Sequence, residues 1–114
     1  MPFINLKTTK KITAEAETAL REGFGKDIEI IPGKTEKWLM LGFEEGCRMA
    51  FAGKAEPDIA YVEVSLLGSA TDSVYERLTA AITKRVEDVL GVAGSRIYIK
   101  YEETEHWGWC GSNF

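Results

Sequence analysis

Soft metal ligands are scarce in this chain of 114 residues, which holds two cysteines, Cys47 and Cys110, and one histidine, His106. No zinc site can be assembled from so few, and no Cys-x-x-Cys spacing joins the two thiols. Nothing in the sequence demands a Cys47–Cys110 disulfide, and two free thiols are expected. Basic residues are also short, since 14 Lys and Arg against 18 Asp and Glu give a net charge of -4. A nucleic-acid partner needs a clustered basic face to neutralise phosphates, and Lys7, Lys10 and Lys11 are too small a group to form one. They are expected in a solvated strand end and loop. Equally lacking are an apolar run long enough to cross a bilayer and a charged, then apolar, then small-residue leader. The expectation is a cytoplasmic protein with no metal, no cofactor and no membrane partner.

What is present is ordinary globular composition, with 45% hydrophobic and 28% charged residues. The length suits one domain, 1–114, built of two similar halves of about 2–57 and 58–114. Phe3 to Lys7 alternates as a strand does. Thr13 offers an N-cap, Glu15 and Glu17 fall in the first turn, and Ile12, Ala16, Leu20 and Phe24 recur every fourth residue, predicting a helix that closes near Gly23 or Gly25. After Pro32 and Gly33, Trp38 to Phe43 predicts a well-buried strand, and Cys47 to Phe51 a short edge strand. The order then recurs. Ile59 to Leu67 is strongly β-prone. Ser73 with Glu76 makes a capping box for a helix striped by Val74, Leu78, Ala81, Ile82, Val86 and Val89 up to Gly91. Ile97 to Tyr101 closes the pattern.

Strand, helix, strand, twice, predicts an α+β, two-layer fold: a four-stranded sheet with two crossover helices on one face and short edge strands. The other face is left uncovered. With apolar residues of "AYVEVSLL" bare on it, self-association is the simplest remedy, so an oligomer is expected.

Pro2 heads the first strand, a position proline tolerates because no backbone N–H is needed there. It also has a chemical use. A small second residue permits removal of Met1, and the freed Pro2 would carry a secondary amine able to act as a base. Such a base works best with a pKa near ambient pH, and an α-amino group starts at about 7.7–8.0. An apolar wall or a nearby cation lowers it further.

Pro2 behind Met1, "PGK" at Pro32–Lys34, "MAFAGKAEP" at Met49–Pro57, "RIYIKY" at Arg96–Tyr101 and "GW" with a terminal "SNF" within Gly108–Phe114 occur in one order. In these the chain resembles, end to end, the macrophage migration inhibitory factor family of the tautomerase superfamily. The resemblance implies a homotrimer whose sheets close, barrel-like, around a central channel, with edge strands pairing across neighbours. It implies a site at each subunit boundary where the Pro2 nitrogen moves a proton between carbon and oxygen of a small keto or enol substrate of the phenylpyruvate type. Lys34 would then receive the substrate carboxylate and lower the Pro2 pKa. Tyr98 would reach in from a neighbour towards the carbonyl oxygen. Phe3, Leu67, Trp107 and Trp109 would form the wall, and Trp38 would stand either at the pocket rim or in the sheet core.

The departures from the family pattern bear on substrate. Lys100 stands where the best-known members carry asparagine, which would bring a second cation to the pocket and favour acidic substrates. The stretch from Pro57 to Gly68 is one residue longer, which leaves Ser65 and Leu66 as alternatives for a pocket-facing position. Asp58 and Tyr61 replace the Cys-x-x-Cys pair of some relatives, removing the thiols a disulfide exchange would need. Rival expectations are a protein that signals by engaging a cell-surface receptor and a trimer without chemistry.

Overall fold

The computed structural model describes residues 1–114. Its central strand is β1 (Pro2–Thr8), paired in parallel with β2 (Met40–Glu44) and antiparallel with β3 (Ala60–Leu67), which pairs in parallel with β4 (Ile97–Thr104). The sheet order is therefore β2-β1-β3-β4, open at both edges, so a single chain closes no barrel. Each parallel pair is bridged by a helix, α1 (Ala14–Asp27) or α2 (Asp72–Leu90), as parallel neighbours require. A small hairpin of β5 (Gly108–Trp109) and β6 (Ser112–Asn113) ends the chain. This is the α+β architecture expected, two helices on one face of a mixed sheet.

The period of two decides which face the helices cover. Ile4 and Leu6 of β1, and Ala60, Val62, Val64 and Leu66 of β3, all point to the helices and are essentially inaccessible. Against them pack Leu20 and Phe24 of α1 and Val74, Leu78, Ile82 and Val86 of α2. Each such side chain contributes about 1.5–3 kcal/mol by leaving water. Thr13 caps α1 by accepting from the Ala16 amide at 3.1 Å, and Gly91 ends α2 with a left-handed φ of 70°.

Several expectations change. Most apolar residues of "AYVEVSLL" are not bare, because alternation turns Ala60, Val62, Val64 and Leu66 inward and leaves Tyr61, Glu63, Ser65 and Leu67 on the uncovered face. The middle of that face is polar, with Asn5, Lys7, Glu44, Lys100 and Glu102, while Phe3, Met40 and Leu67 stand at one end of it and Tyr61 and Tyr98 at the other. The chain's exposed large apolar side chains are Met40 and Tyr98, at the two edges of that face, and Trp109 and Phe114, at the terminal hairpin. The second strand starts at Met40 rather than Trp38 and is an edge, exposed at both ends. Cys47 to Phe51 forms no strand, only a bridge between Phe51 and Lys54. Thr71, not Ser73, caps α2 and accepts from the Val74 amide at 3.3 Å, because Asp72 is already helical.

Helix α1 also runs past Gly23 and Gly25 to Asp27. These glycines make room rather than end the helix. A Cβ on Gly23 would lie 2.3 Å from Cδ and Nε of Arg85, and one on Gly25 would lie 2.0 Å from a Glu36 carboxylate oxygen. Arg85 crosses from α2 to hold the buried Asp27 with both carboxylate oxygens, at 2.8 and 3.2 Å. Arg85→Ala should cost about 2 kcal/mol by leaving Asp27 unpaired. Gly23→Ala should be destabilising even though alanine favours a helix interior by about 1 kcal/mol, and it should become neutral or stabilising in the Arg85→Ala background. Urea unfolding of both single variants and the double variant measures this coupling.

Candidate active site

The free end of β1 is pinned rather than frayed. Pro2 stands opposite Leu66, and the Leu67 amide donates to the Met1 carbonyl at 3.2 Å. Lys34 arrives at the same place by a tight turn. After α1, a short 3₁₀ segment (Ile28–Ile30) leads to Ile31, and Ile28 and Ile31 bury their side chains in the core. The Lys34 amide then donates to the Ile31 carbonyl at 3.1 Å, with Gly33 supplying the left-handed φ of 81° that the reversal needs. The Lys34 ammonium donates to the Leu67 carbonyl at 3.0 Å. Pro2, Lys34 and Leu67 thus converge at one end of the sheet.

This end lowers the pKa of an amine. The α-amino group of Met1 is brought down from 8.0 to about 6, first by burial and then by hydrogen bonding to and repulsion from Lys34. It is therefore largely unprotonated at neutral pH. With Met1 in place, the Pro2 nitrogen is a tertiary amide without proton or basic lone pair, so the basic group here is the Met1 amine.

Aromatic residues stand alongside. Phe3 lies opposite Ser65 on one side and Met40 on the other, with Ser65 on the uncovered face and Leu66 sunk in the core. Trp38 belongs to neither strand nor core. It sits in a 3₁₀ turn (Glu36–Trp38), half-buried, with its ring edge on Trp109 at 5.1 Å and on Phe114 at 6.4 Å. Lys37 lies 5.3 Å from the Trp38 ring. The terminal hairpin presents Trp109 through a turn at Cys110 and Gly111, whose φ angles of 52° and 86° are both left-handed. Trp107 is half-buried at its base, accepting from the Phe114 amide at 3.0 Å. Phe114, part of the terminal "SNF", was not assigned to the site from sequence. An isolated aromatic behind a Gly-Ser-Asn turn was the available signal. The concavity of about 410 Å³ lined by Gly68, Ser69, Glu103, Thr104 and Glu105 is acidic and ill suited to a carboxylate.

Tyr98 and Lys100 lie elsewhere in the same chain. Lys100 is in register with Glu63 and, through it, Asn5; Tyr98 is in register with Tyr61 and Lys7. At 3.3 Å per residue and 4.8 Å per strand, the Lys100 and Tyr98 backbones are about 14 Å and about 19 Å from Pro2. Neither can serve its own Pro2. Tyr98 is exposed, its ring packed edge-on against Phe51 at 4.9 Å. Arg96 holds that region by donating to the carbonyls of Phe51, Lys54 and Pro57.

In the chain beginning at Met1, α-amine reactivity towards an acylating reagent, followed against pH, should show a midpoint near 6. Lys34→Ala should raise that midpoint towards 8 only in part, because burial, the larger cause, remains. A midpoint unmoved by the substitution would separate Lys34 from the amine.

Residues 1–114 match the family model "Macrophage migration inhibitory factor (MIF)". None of the curated proteins matches the chain. Among solved structures, Leishmania major MIF2 is 28% identical over 100% of this chain and 97% of its own, with a TM-score of 0.93. The macrophage migration inhibitory factor homologue from Prochlorococcus marinus is 33% identical over 98% of each chain, with a TM-score of 0.89. At 18% identity, over 96% of this chain and 93% of its own, Pt0534 inactivated by 2-oxo-3-pentynoate has the same fold, with a TM-score of 0.84. On the whole-chain match and these likenesses, the chain belongs to the macrophage migration inhibitory factor family.

Proposed function

We propose that this protein is a keto-enol tautomerase for small 2-oxo acids, with Pro2 as general base and acid once Met1 is removed. The observation that carries the reading is the amine-lowering end of β1, where burial and Lys34 together favour a neutral terminal nitrogen. Loss of Met1 would move the terminus one residue inward, to Pro2, which is buried beside Leu66. A neutral Pro2 nitrogen can take a proton from the carbon next to the carbonyl. The electron pair left behind forms the carbon–carbon double bond, and the carbonyl oxygen receives the proton to give the enol. The reverse order returns the keto acid. Lys34, which has no carboxylate partner in the chain, is free to pair with the substrate carboxylate.

The same reading includes assembly as a homotrimer. The distances of Tyr98 and Lys100 from their own Pro2 suit residues that act on a neighbour's site rather than on their own. The exposed Met40, Tyr98, Trp109 and Phe114 lie on the edge strands and terminal hairpin, where neighbours would meet. Trp38, Trp109 and Phe114 would favour an aromatic substrate side chain. The inactivation of Pt0534 by a 2-oxo acid, 2-oxo-3-pentynoate, fits this substrate class.

Protein shown by mass spectrometry to begin at Pro2 should convert phenylpyruvate enol to keto form, and protein retaining Met1 should be at least about 10²-fold slower, the usual worth of a positioned base. Pro2→Gly, which keeps a terminal amine but loses the ring, should fall between them. Equal rates for all three would exclude a proline base.

A further inference from the structure

The uncovered face of the sheet carries a row of alternating charge across three strands. The Lys100 ammonium lies 2.7 Å from a Glu102 carboxylate oxygen and 3.5 Å from a Glu63 oxygen, and the other Glu63 oxygen is 3.7 Å from the Lys7 ammonium. Glu102, and after it the Tyr61 hydroxyl, hold the Lys100 ammonium above the usual lysine range. Two cations and two carboxylates thus cancel. Lys34 differs, since its ammonium meets the Leu67 carbonyl and the terminal amine and has no carboxylate partner. Of the two lysines brought to the site by family resemblance, only Lys34 has charge to spare. Lys100 was expected to favour acidic substrates. Its two carboxylates argue the other way, because a second substrate carboxylate approaching Lys100 also approaches Glu63 and Glu102.

We infer that Glu63 and Glu102, acting as positioning residues on Lys100, set the site's selectivity: it accepts 2-oxo monocarboxylates and turns away 2-oxo dicarboxylates. This rests on the tautomerase reading, in which Lys100 borders a neighbour's Pro2. The pair does not touch the reacting atoms. It removes the cation on which a far carboxylate would otherwise settle, so its effect falls on dicarboxylate binding and not on proton transfer.

The test compares phenylpyruvate with oxaloacetate, both supplied as enols, on protein beginning at Pro2. Wild type should favour phenylpyruvate in kcat/KM. Glu102→Gln should lower the KM for oxaloacetate about tenfold, as expected when one of two repelling charges goes, with kcat and the phenylpyruvate constants unchanged. Glu63→Gln should act in the same direction, and Glu102→Asp, which keeps the charge, should retain wild-type selectivity. Glu102 is exposed, so folding is not at stake. Binding of the unreactive 3-phenylpropanoate and glutarate, followed by tryptophan fluorescence, reads the same selectivity without turnover. Turnover in wild type with an oxaloacetate KM unmoved by Glu102→Gln overturns the inference alone, as does a wild-type preference for oxaloacetate. No turnover of either enol overturns the tautomerase reading. The selectivity then stands if Glu102→Gln tightens glutarate alone, and falls if it does not.

Discussion

The antiparallel pairing of β1 with β3, running from Pro2–Leu66 to Thr8–Ala60, puts the beginning of the chain in the middle of a sheet. Chain ends usually fray, because a terminal residue gains little from ordering. Here β1 has neighbours on both sides and a buried row of Ile4 and Leu6 beneath, so its first residues cannot leave without exposing the core. A terminal amine held this way is desolvated before any substrate arrives. Every property of the candidate site, from the lowered amine pKa to the convergence of Lys34 and Leu67, follows from that placement.

The two helices secure the placement from behind. Asp27 and Arg85 join the end of α1 to α2 across a contact that Gly23 keeps clear, and α1 hands the chain directly to the turn that delivers Lys34. A buried carboxylate needs such a partner, since its isolated charge would be far more costly inside the protein than in water. The position of the site lysine and the stability of the helix pair are therefore outcomes of one packing arrangement.

Charge on the other face of the sheet follows a different rule. Lys7, Glu63, Lys100 and Glu102 are partly or largely open to solvent, where any one pair contributes little. Their consequence is local neutrality, which leaves Lys34 as the site's uncommitted cation. Met40 and Tyr98 at the edges of this face, with Trp109 and Phe114 at the terminal hairpin, are the exposed large apolar side chains that contact between chains would cover.

The strand-helix-strand order, the inward stripe of α2, the Thr13 cap and the Gly91 stop were legible in the sequence, because each depends on residues a few positions apart. The convergence of Pro2, Lys34 and Leu67 was reachable only through family resemblance, since no local rule joins residues more than 30 positions apart. What misled was equally physical. Gly23 and Gly25 resemble helix stops, yet their lack of a side chain serves Arg85 and Glu36, which only packing brings near. "AYVEVSLL" resembles a strand apolar on both faces, yet its alternation sends Val62, Val64 and Leu66 one way and leaves only Leu67 and Tyr61 on the other. Composition and periodicity by themselves determined the elements and the face each buries, because those are set by short-range geometry and the transfer of apolar area from water. Which charges meet, which lysine stays unpaired and which aromatics surround the chain's beginning were decided by tertiary structure alone, because those contacts exist only after the two halves pair through β1 and β3.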